Sequence, residues 1–170
     1  MDNAPASTKM AFAPGDIVVY PSHGLGKVIS IETQRIGEQE VTLFVINFER
    51  DRMTLRVPLH KAKTSGLRNI STKRVMQAAL AILKEPASQK RMMWNRRAVE
   101  YATKINSGDP ILLAEVVRDL NRAVGERERS HSERLIYEQA LDRLTLEVAA
   151  VERTEVQTAV AKLEQLLKAA

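Results

Sequence analysis

The 170-residue chain carries 26 Lys+Arg against 21 Asp+Glu, a net charge of +5, with 44% hydrophobic residues, 28% charged residues and no cysteine. That balance is globular rather than disordered, and the absence of thiols excludes disulfides, cysteine nucleophiles, thiolate zinc sites and iron–sulfur clusters. No apolar run approaches the roughly 20 residues that span a bilayer, so no membrane partner is expected. Residues 1–11 read as a flexible tail without the apolar stretch of a signal peptide.

From Phe12 to Pro58 the pattern has period two and is rich in β-branched residues. Ile17–Tyr20 is a short apolar run stopped by Pro21-Ser22-His23-Gly24, and Lys27–Ile36 alternates up to a hairpin turn at Gly37-Glu38-Gln39. Val41–Phe48 is apolar enough to be central in its sheet; Arg50-Asp51-Arg52 turns into Met53–Val57, and Pro58 ends the ladder. Four or five short strands in so few residues predict a small, highly curved β-barrel over residues 12–60. Residues 61–71 read as a linker.

After Ser71 the period becomes 3.6. Val75, Ala78, Ala79, Ile82 and Leu83 share a face, and Pro86 ends that helix. Ser88 is the expected N-cap of a second helix through Ile105, which Gly108 terminates. Asp109-Pro110 opens a third helix that stops at Gly125, with Leu112, Val116, Val117, Leu120 and Val124 inward. Ser130-x-x-Glu133 is a capping box for a fourth, with Leu135, Leu141, Leu144 and Val148 on its face. Thr154 is the expected cap of a last helix through Val156, Val160, Leu163 and Leu167. The fold class is therefore α+β in two domains, a β-barrel followed by an all-α bundle of about five helices over residues 72–170.

Charge is distributed unevenly. Residues 1–60 hold 6 Lys/Arg and 7 Asp/Glu; residues 61–104 hold 11 and 2; residues 105–170 hold 9 and 12. The +9 middle segment is the footprint of a polyanion binder, because each neutralised phosphate releases a condensed counterion. A merely solvated basic face is the competing reading. The acidic residues further on interleave with arginines, as in Glu115 with Arg118 and Glu138 with Arg143, and read as a solvated surface.

Catalytic constellations are not found. His23, His60 and His131 are dispersed, with no second ligand at helical spacing, so neither a metal nor a cofactor is expected. His23-Gly24-Leu25-Gly26 precedes a strand, not a helix, and lacks the spacing of a phosphate loop. No small-molecule substrate and no enzymatic activity are expected.

The single tryptophan, Trp94, stands inside Gln89-Lys90-Arg91-Met92-Met93-Trp94-Asn95-Arg96-Arg97. It shares a helical face with Ala98, Tyr101 and Ile105, which makes a core role one reading. The other is a surface wedge that enters a minor groove while Arg side chains hold phosphates and Asn95 reaches a base edge or sugar.

Phe12-x-x-Gly15-Asp16-x-Val18-Val19-Tyr20-Pro21-x-His23-Gly24-x-Gly26, Leu55-Arg56-Val57-Pro58 and Gly66-Leu67-Arg68, followed by Trp94-Asn95-Arg96-Arg97, Ser107-Gly108-Asp109, Glu115–Leu120, Ser132-Glu133-Arg134 and Glu147, occur in one order. That ordered set resembles the CarD/CdnL family of bacterial transcription regulators. Its N-terminal part is also similar to the polymerase-interacting module of transcription-repair coupling factors. The resemblance implies a Tudor-like barrel that docks on the β-subunit of RNA polymerase by extending its sheet, with Arg56 making the contact. It implies a second basic contact where this chain reads Gln34-Arg35, which gives that role to Arg35 in a shifted register.

For the helical half the resemblance implies contact with promoter DNA at the upstream fork of the bubble. Trp94 is then the minor-groove wedge, and Asn95, Arg96 and Arg97 accompany it. Val99 falls where some members carry a lysine, which passes that phosphate contact to Arg91 or Lys90. The implied function is to stabilise the open promoter complex in the cytoplasm, nucleoid-associated through the polymerase. A sequence-nonspecific DNA binder and a protein–protein adaptor without a DNA role are the alternatives.

Overall fold

In the computed structural model, residues 12–88, 92–121 and 129–169 are described. Five strands form one antiparallel sheet: β1 Ile17–Tyr20, β2 Gly24–Ile36, β3 Gln39–Phe48, β4 Met53–Pro58 and β5 Arg68–Asn69, in the order β4-β3-β2-β1-β5. The short helix α1, Leu59–Ala62, follows β4. Then come α2 Lys73–Ile82, α3 Trp94–Asn106, α4 Pro110–Leu120, α5 His131–Glu152 and α6 Val156–Lys168. No helix among the described residues is long and apolar enough to cross a membrane.

The sheet follows from its alternation. Phe44, Ile46 and Phe48 project from one face of the central β3 into a core with Phe12, Val18, Val28, Val57 and Leu67. A bulge between Val28 and Ser30 bends β2 around that core. Gly26 permits the tight curl: a Cβ there would sit 2.8 Å from both Ile46 Cγ2 and Phe48 Cε1. The two-residue Gly37-Glu38 turn joins Ile36 to its cross-strand partner Gln39, as the hairpin signal predicts.

Two expectations need correction, the closed barrel and the helix count. The sheet is curved but does not close into a barrel, because its two edge strands, β4 and the two-residue β5, do not pair. The stretch 61–71 contributes secondary structure, with Val18 opposite Asn69 and Val19 opposite Arg68. Among the described residues the helices number six, the additional one being α1, which packs on the sheet side with Ala62 in the strand core.

The helical half also starts its elements differently. α3 begins at Trp94, not Ser88, and its N-cap Met93 makes no side-chain bond. Ser88 instead gives its backbone N–H to Asp119 Oδ1 at 2.9 Å. Glu155, not Thr154, is the N-cap of α6. The caps at Asp109 and Ser130 form as expected, accepting from the N–H groups of Ile111 and Glu133. α4 ends at Leu120, and the expected extension to Gly125 lies outside the described residues. Leu135 is 54% exposed and stands off the core face of α5.

Between sheet and helices lies an ion pair with a buried carboxylate and a partly buried arginine. Arg68 of β5 donates through Nη1 and Nη2 to Glu147 Oε2 and Oε1 of α5, at 2.9 and 2.8 Å. Arg68 Nη2 also reaches the Gly108 carbonyl at 2.6 Å, and Glu147 Oε2 accepts from the Ser71 N–H at 2.9 Å. Glu147 is only 2% exposed. Gly108 takes φ 70° at the α3–α4 turn, and a Cβ there would meet Pro21 Cα at 3.0 Å.

The neighbouring contacts reinforce this junction. Arg143 of α5 donates to the carbonyls of Pro21, Ser22 and Ile105. Burial pushes its pKa below the usual arginine value, while Asp51 and Asp142 act in the opposite sense. Arg50, beyond β3, makes a two-pronged contact with Asp142, and that hydrogen bond first and then its charge raise the Arg50 pKa. Arg143 is thus half-buried among backbone carbonyls and is not part of the solvated face that its spacing to Glu138 suggests.

Removing one member of a buried pair leaves the other charge uncompensated, which typically costs about 3–5 kcal/mol. Glu147→Ala is accordingly expected to lose about 3 kcal/mol in urea unfolding, with Arg68 still partly solvated. The double variant Arg68→Met/Glu147→Leu should cost clearly less than the sum of the single losses. Additive losses in that cycle would remove the clamp from this account.

Candidate nucleic-acid and polymerase interfaces

The expected site residues fall into two groups on different elements. Arg56 lies on the edge strand β4, opposite Val45, with its side chain exposed. Its Nε approaches Glu32 Oε2 of β2 at 3.5 Å, across the intervening β3. Arg35 is exposed near the hairpin tip, paired in register with Glu40. Both are therefore accessible from the sheet surface.

Trp94, Asn95, Arg96 and Arg97 form the first turn of α3. Asn95 and Arg96 are exposed; Trp94 and Arg97 are half-buried. Lys90 and Arg91 lie outside the described residues. The segment just before them is anchored by the buried carboxylate Asp119, which accepts from Ser88 N–H and from Arg118 Nε, each at 2.9 Å. Arg118 also holds Glu85 at 2.9 Å. Burial works to lower the Arg118 pKa, but the hydrogen bonds and charges of Asp119 and Glu85 outweigh it and hold the pKa above its ordinary value. Arg118 therefore bridges α4 to the chain after α2, rather than pairing with Glu115 on a solvated face. Glu115 instead meets Lys104 of α3 at 2.9 Å.

Trp94 combines the two roles that sequence left open. Its ring packs against the helical core while remaining partly exposed. Indole Nε1 donates to Ser132 Oγ in the first turn of α5 at 3.3 Å. Tyr101, two helical turns on, is buried with its ring centroid 6.3 Å from that of Trp94. The Arg97 guanidinium carbon lies 5.8 Å from the Trp94 centroid and 5.6 Å from that of Tyr101, within cation–π range of both. Exposed apolar side chains lie close by in sequence on the same two helix starts: Met93 at 76% and Leu135 at 54%.

Among the described residues no cluster of three or more His, Asp or Glu could hold a metal ion. The enclosed space at the junction, lined by Val19, Pro21, Gly108, Leu113 and Arg143 among others, has a volume of only about 10 Å³. That is one water's worth and not a substrate cavity.

Comparison with known proteins bears on both halves of the chain. A family model described as "CarD, C-terminal domain" matches residues 78–164, and one described as "CarD-like/TRCF RID domain" matches residues 12–71. The chain belongs to the CarD family. "Putative transcription factor YdeB" of Bacillus subtilis (strain 168) is 29% identical over 140 residues, covering 82% of this chain and 92% of that protein. The solution structure of the 72-residue N-terminal domain of Myxococcus xanthus CarD is 30% identical, over 41% of this chain and 93% of that one, at a TM-score of 0.31. CarD-family membership gives the chain a transcription-related role.

Sequence reading names Arg68, Asp119 and Glu147 only as parts of the family pattern and Arg143 only as a surface charge, and gives none of the four its junction role. Two of them had a signal. Asp119 and Glu147 sit at i+3 from the inward Val116 and Leu144, so each places a carboxylate inside an apolar stripe. A charge in that position calls for a buried partner.

Arg56 makes only an exposed ion pair, a contact worth about 0–1 kcal/mol. Arg56→Ala is therefore expected to leave unfolding stability within about 0.5 kcal/mol of the parent by urea titration. A loss well above that would show a structural role for the side chain.

Proposed function

We propose that this CarD-family chain binds the β-subunit of RNA polymerase through its N-terminal sheet. Its α3 then contacts promoter DNA at the upstream edge of the bubble, stabilising the open complex without reading sequence. The observation that carries this reading is the first turn of α3. A half-exposed indole is oriented there by Ser132, beside exposed Asn95 and Arg96, within a segment of net charge +9.

The chemistry suits that task. A wedge flanked by cations enters a minor groove most cheaply where base steps are already unstacked, so it prefers opened DNA to closed duplex. The positive end of the α3 macrodipole adds to the attraction for phosphate. Arg96 is free to meet the backbone, and Lys90 and Arg91 extend the basic run. The edge strand β4 offers main-chain groups to an added strand, with Arg56 and Arg35 supplying side-chain contacts to the polymerase.

Docking through the sheet raises the DNA concentration seen by a weakly binding helical half. The slightly acidic residues 1–60 argue against the sheet itself holding DNA. The adaptor reading leaves the +9 segment without a partner.

The test is the lifetime of open complexes on the cognate polymerase. Trp94→Ala is expected to shorten the factor-stabilised lifetime by roughly five- to thirtyfold, the equivalent of 1–2 kcal/mol, while polymerase binding persists. Arg56→Ala should instead raise the factor concentration needed, with the full lifetime recovered at saturation. A lifetime that the parent protein does not change overturns the reading.

A further inference from the structure

We infer that Ser132 and the Arg97–Tyr101 pair are positioning residues that hold the Trp94 indole at one orientation, so that the wedge is set before DNA arrives. This inference rests on the reading of Trp94 as the DNA-contacting residue. It deepens that reading by assigning Arg97 a role through Trp94, and by adding Ser132 and Tyr101 to the site.

The argument is geometric. Tryptophan has two soft torsions, and an indole at the first residue of a helix has no preceding turn of its own helix to pack on. Two contacts restrict both torsions here. Nε1–H is donated to Ser132 Oγ of α5 at 3.3 Å, which fixes the polar edge of the ring. The Arg97 guanidinium, one turn on, lies over both the Trp94 and Tyr101 rings at 5.8 and 5.6 Å from their centroids, completing a three-group cluster that bounds one face of the indole. Arg97 is itself held: Nη2 donates to Tyr101 Oη at 2.9 Å, and the Tyr101 ring is buried in the helical core.

Arg97 Nε is buried and has no hydrogen-bond partner among the described residues. A solvated, phosphate-seeking arginine would not give up that donor. Its burial fits a side chain spent on packing alongside the two rings. Ser132 in turn lies next to the α5 N-cap Ser130, whose hydroxyl accepts from the Glu133 N–H. The first turn of α5 is thereby fixed, and Ser132 Oγ with it. A wedge oriented in advance loses less conformational freedom on binding, and that loss subtracts directly from affinity.

Trp94 is the only tryptophan, so its fluorescence reports this arrangement in the full-length protein without polymerase or DNA. Ser132→Ala and Tyr101→Phe each remove one hydrogen bond of the chain. Each is expected to shift the docked indole population by roughly three- to tenfold. The readouts are easier acrylamide quenching and faster local anisotropy decay, with far-UV circular dichroism unchanged. Ser132→Thr, which keeps the hydroxyl, should restore the parent signal. Open-complex lifetime should fall in the alanine and phenylalanine variants by less than in Trp94→Ala, and recover in Ser132→Thr.

Unchanged quenching and anisotropy in both Ser132→Ala and Tyr101→Phe overturn the positioning role. So does a loss that Ser132→Thr fails to reverse. Fluorescence changes together with a lifetime insensitive even to Trp94→Ala would leave the indole orientation standing and overturn the DNA-contact reading beneath it.

Discussion

The relation between the two halves of this chain depends first on one ion pair, whose carboxylate is buried. Arg68 belongs to a strand of only two residues, and Glu147 sits in the C-terminal third of α5, the longest helix among the described residues. Their two-pronged contact, with the Gly108 carbonyl and the Ser71 N–H completing it, ties sheet edge, α3–α4 turn and α5 to one point. Such a pair contributes little net stability compared with a well-packed apolar substitute, since Glu147 is taken wholly and Arg68 partly out of water. What it supplies is discrimination. Any other packing of sheet on helices would leave Glu147 charged and unpaired in the core. The geometry is therefore specified by the cost of the alternatives, and the contacts of Arg143 with the Pro21 and Ser22 carbonyls pin the same junction from the other side.

Much of this was legible in the residues. Period-two alternation placed β1 through β4, Gly37-Glu38 placed the hairpin, and Asp109-Pro110 and Ser130-x-x-Glu133 placed two helix starts, because each is decided by contacts within a few residues. The departures have a common cause. Ser88 has the chemistry of an N-cap, but the buried Asp119 captures its backbone N–H from a different helix. Arg143 stands in a charge-interleaved stretch that reads as a solvated helix face, but three carbonyls from the β1–β2 turn and α3 surround it. The open sheet is of the same kind: short alternating strands predict curvature, whereas closure requires two edges to meet. Local pattern says what an element is, and only the tertiary neighbours say what its polar groups meet. Arg68 and Glu147 belong to that second kind of information, and each is recognisable alone only as a charge in an unusual place.

The candidate site shows the same division at finer scale. Sequence offered Trp94 as either core or wedge, and the two readings are compatible because an indole is large enough to do both. The edge toward Tyr101 and Arg97 is packed, while Met93, Asn95 and Arg96 beside it are exposed. A fully exposed tryptophan would bury itself or sample many rotamers; a fully buried one could touch nothing. The half-buried position is the one that leaves a rigid apolar edge facing solvent.

Rigidity at the wedge and at the junction have to act together for the proposed mechanism. A factor shifts the balance between closed and open promoter only by its difference in affinity for the two, and about 1 kcal/mol of difference gives a roughly fivefold shift. Tethering alone raises occupancy on both states equally and shifts nothing. Selectivity has to arise where opened and closed DNA differ in shape, at the unstacked step that an oriented side chain can enter. If the helical half could swing freely on the sheet, or the indole rotate freely on α3, the ordering cost on binding would consume a difference of that size. The Arg68–Glu147 clamp and the Ser132–Trp94–Arg97–Tyr101 array thus answer the same requirement at two scales: each removes freedom before DNA is met, so that a small preference for open DNA survives as a measurable effect.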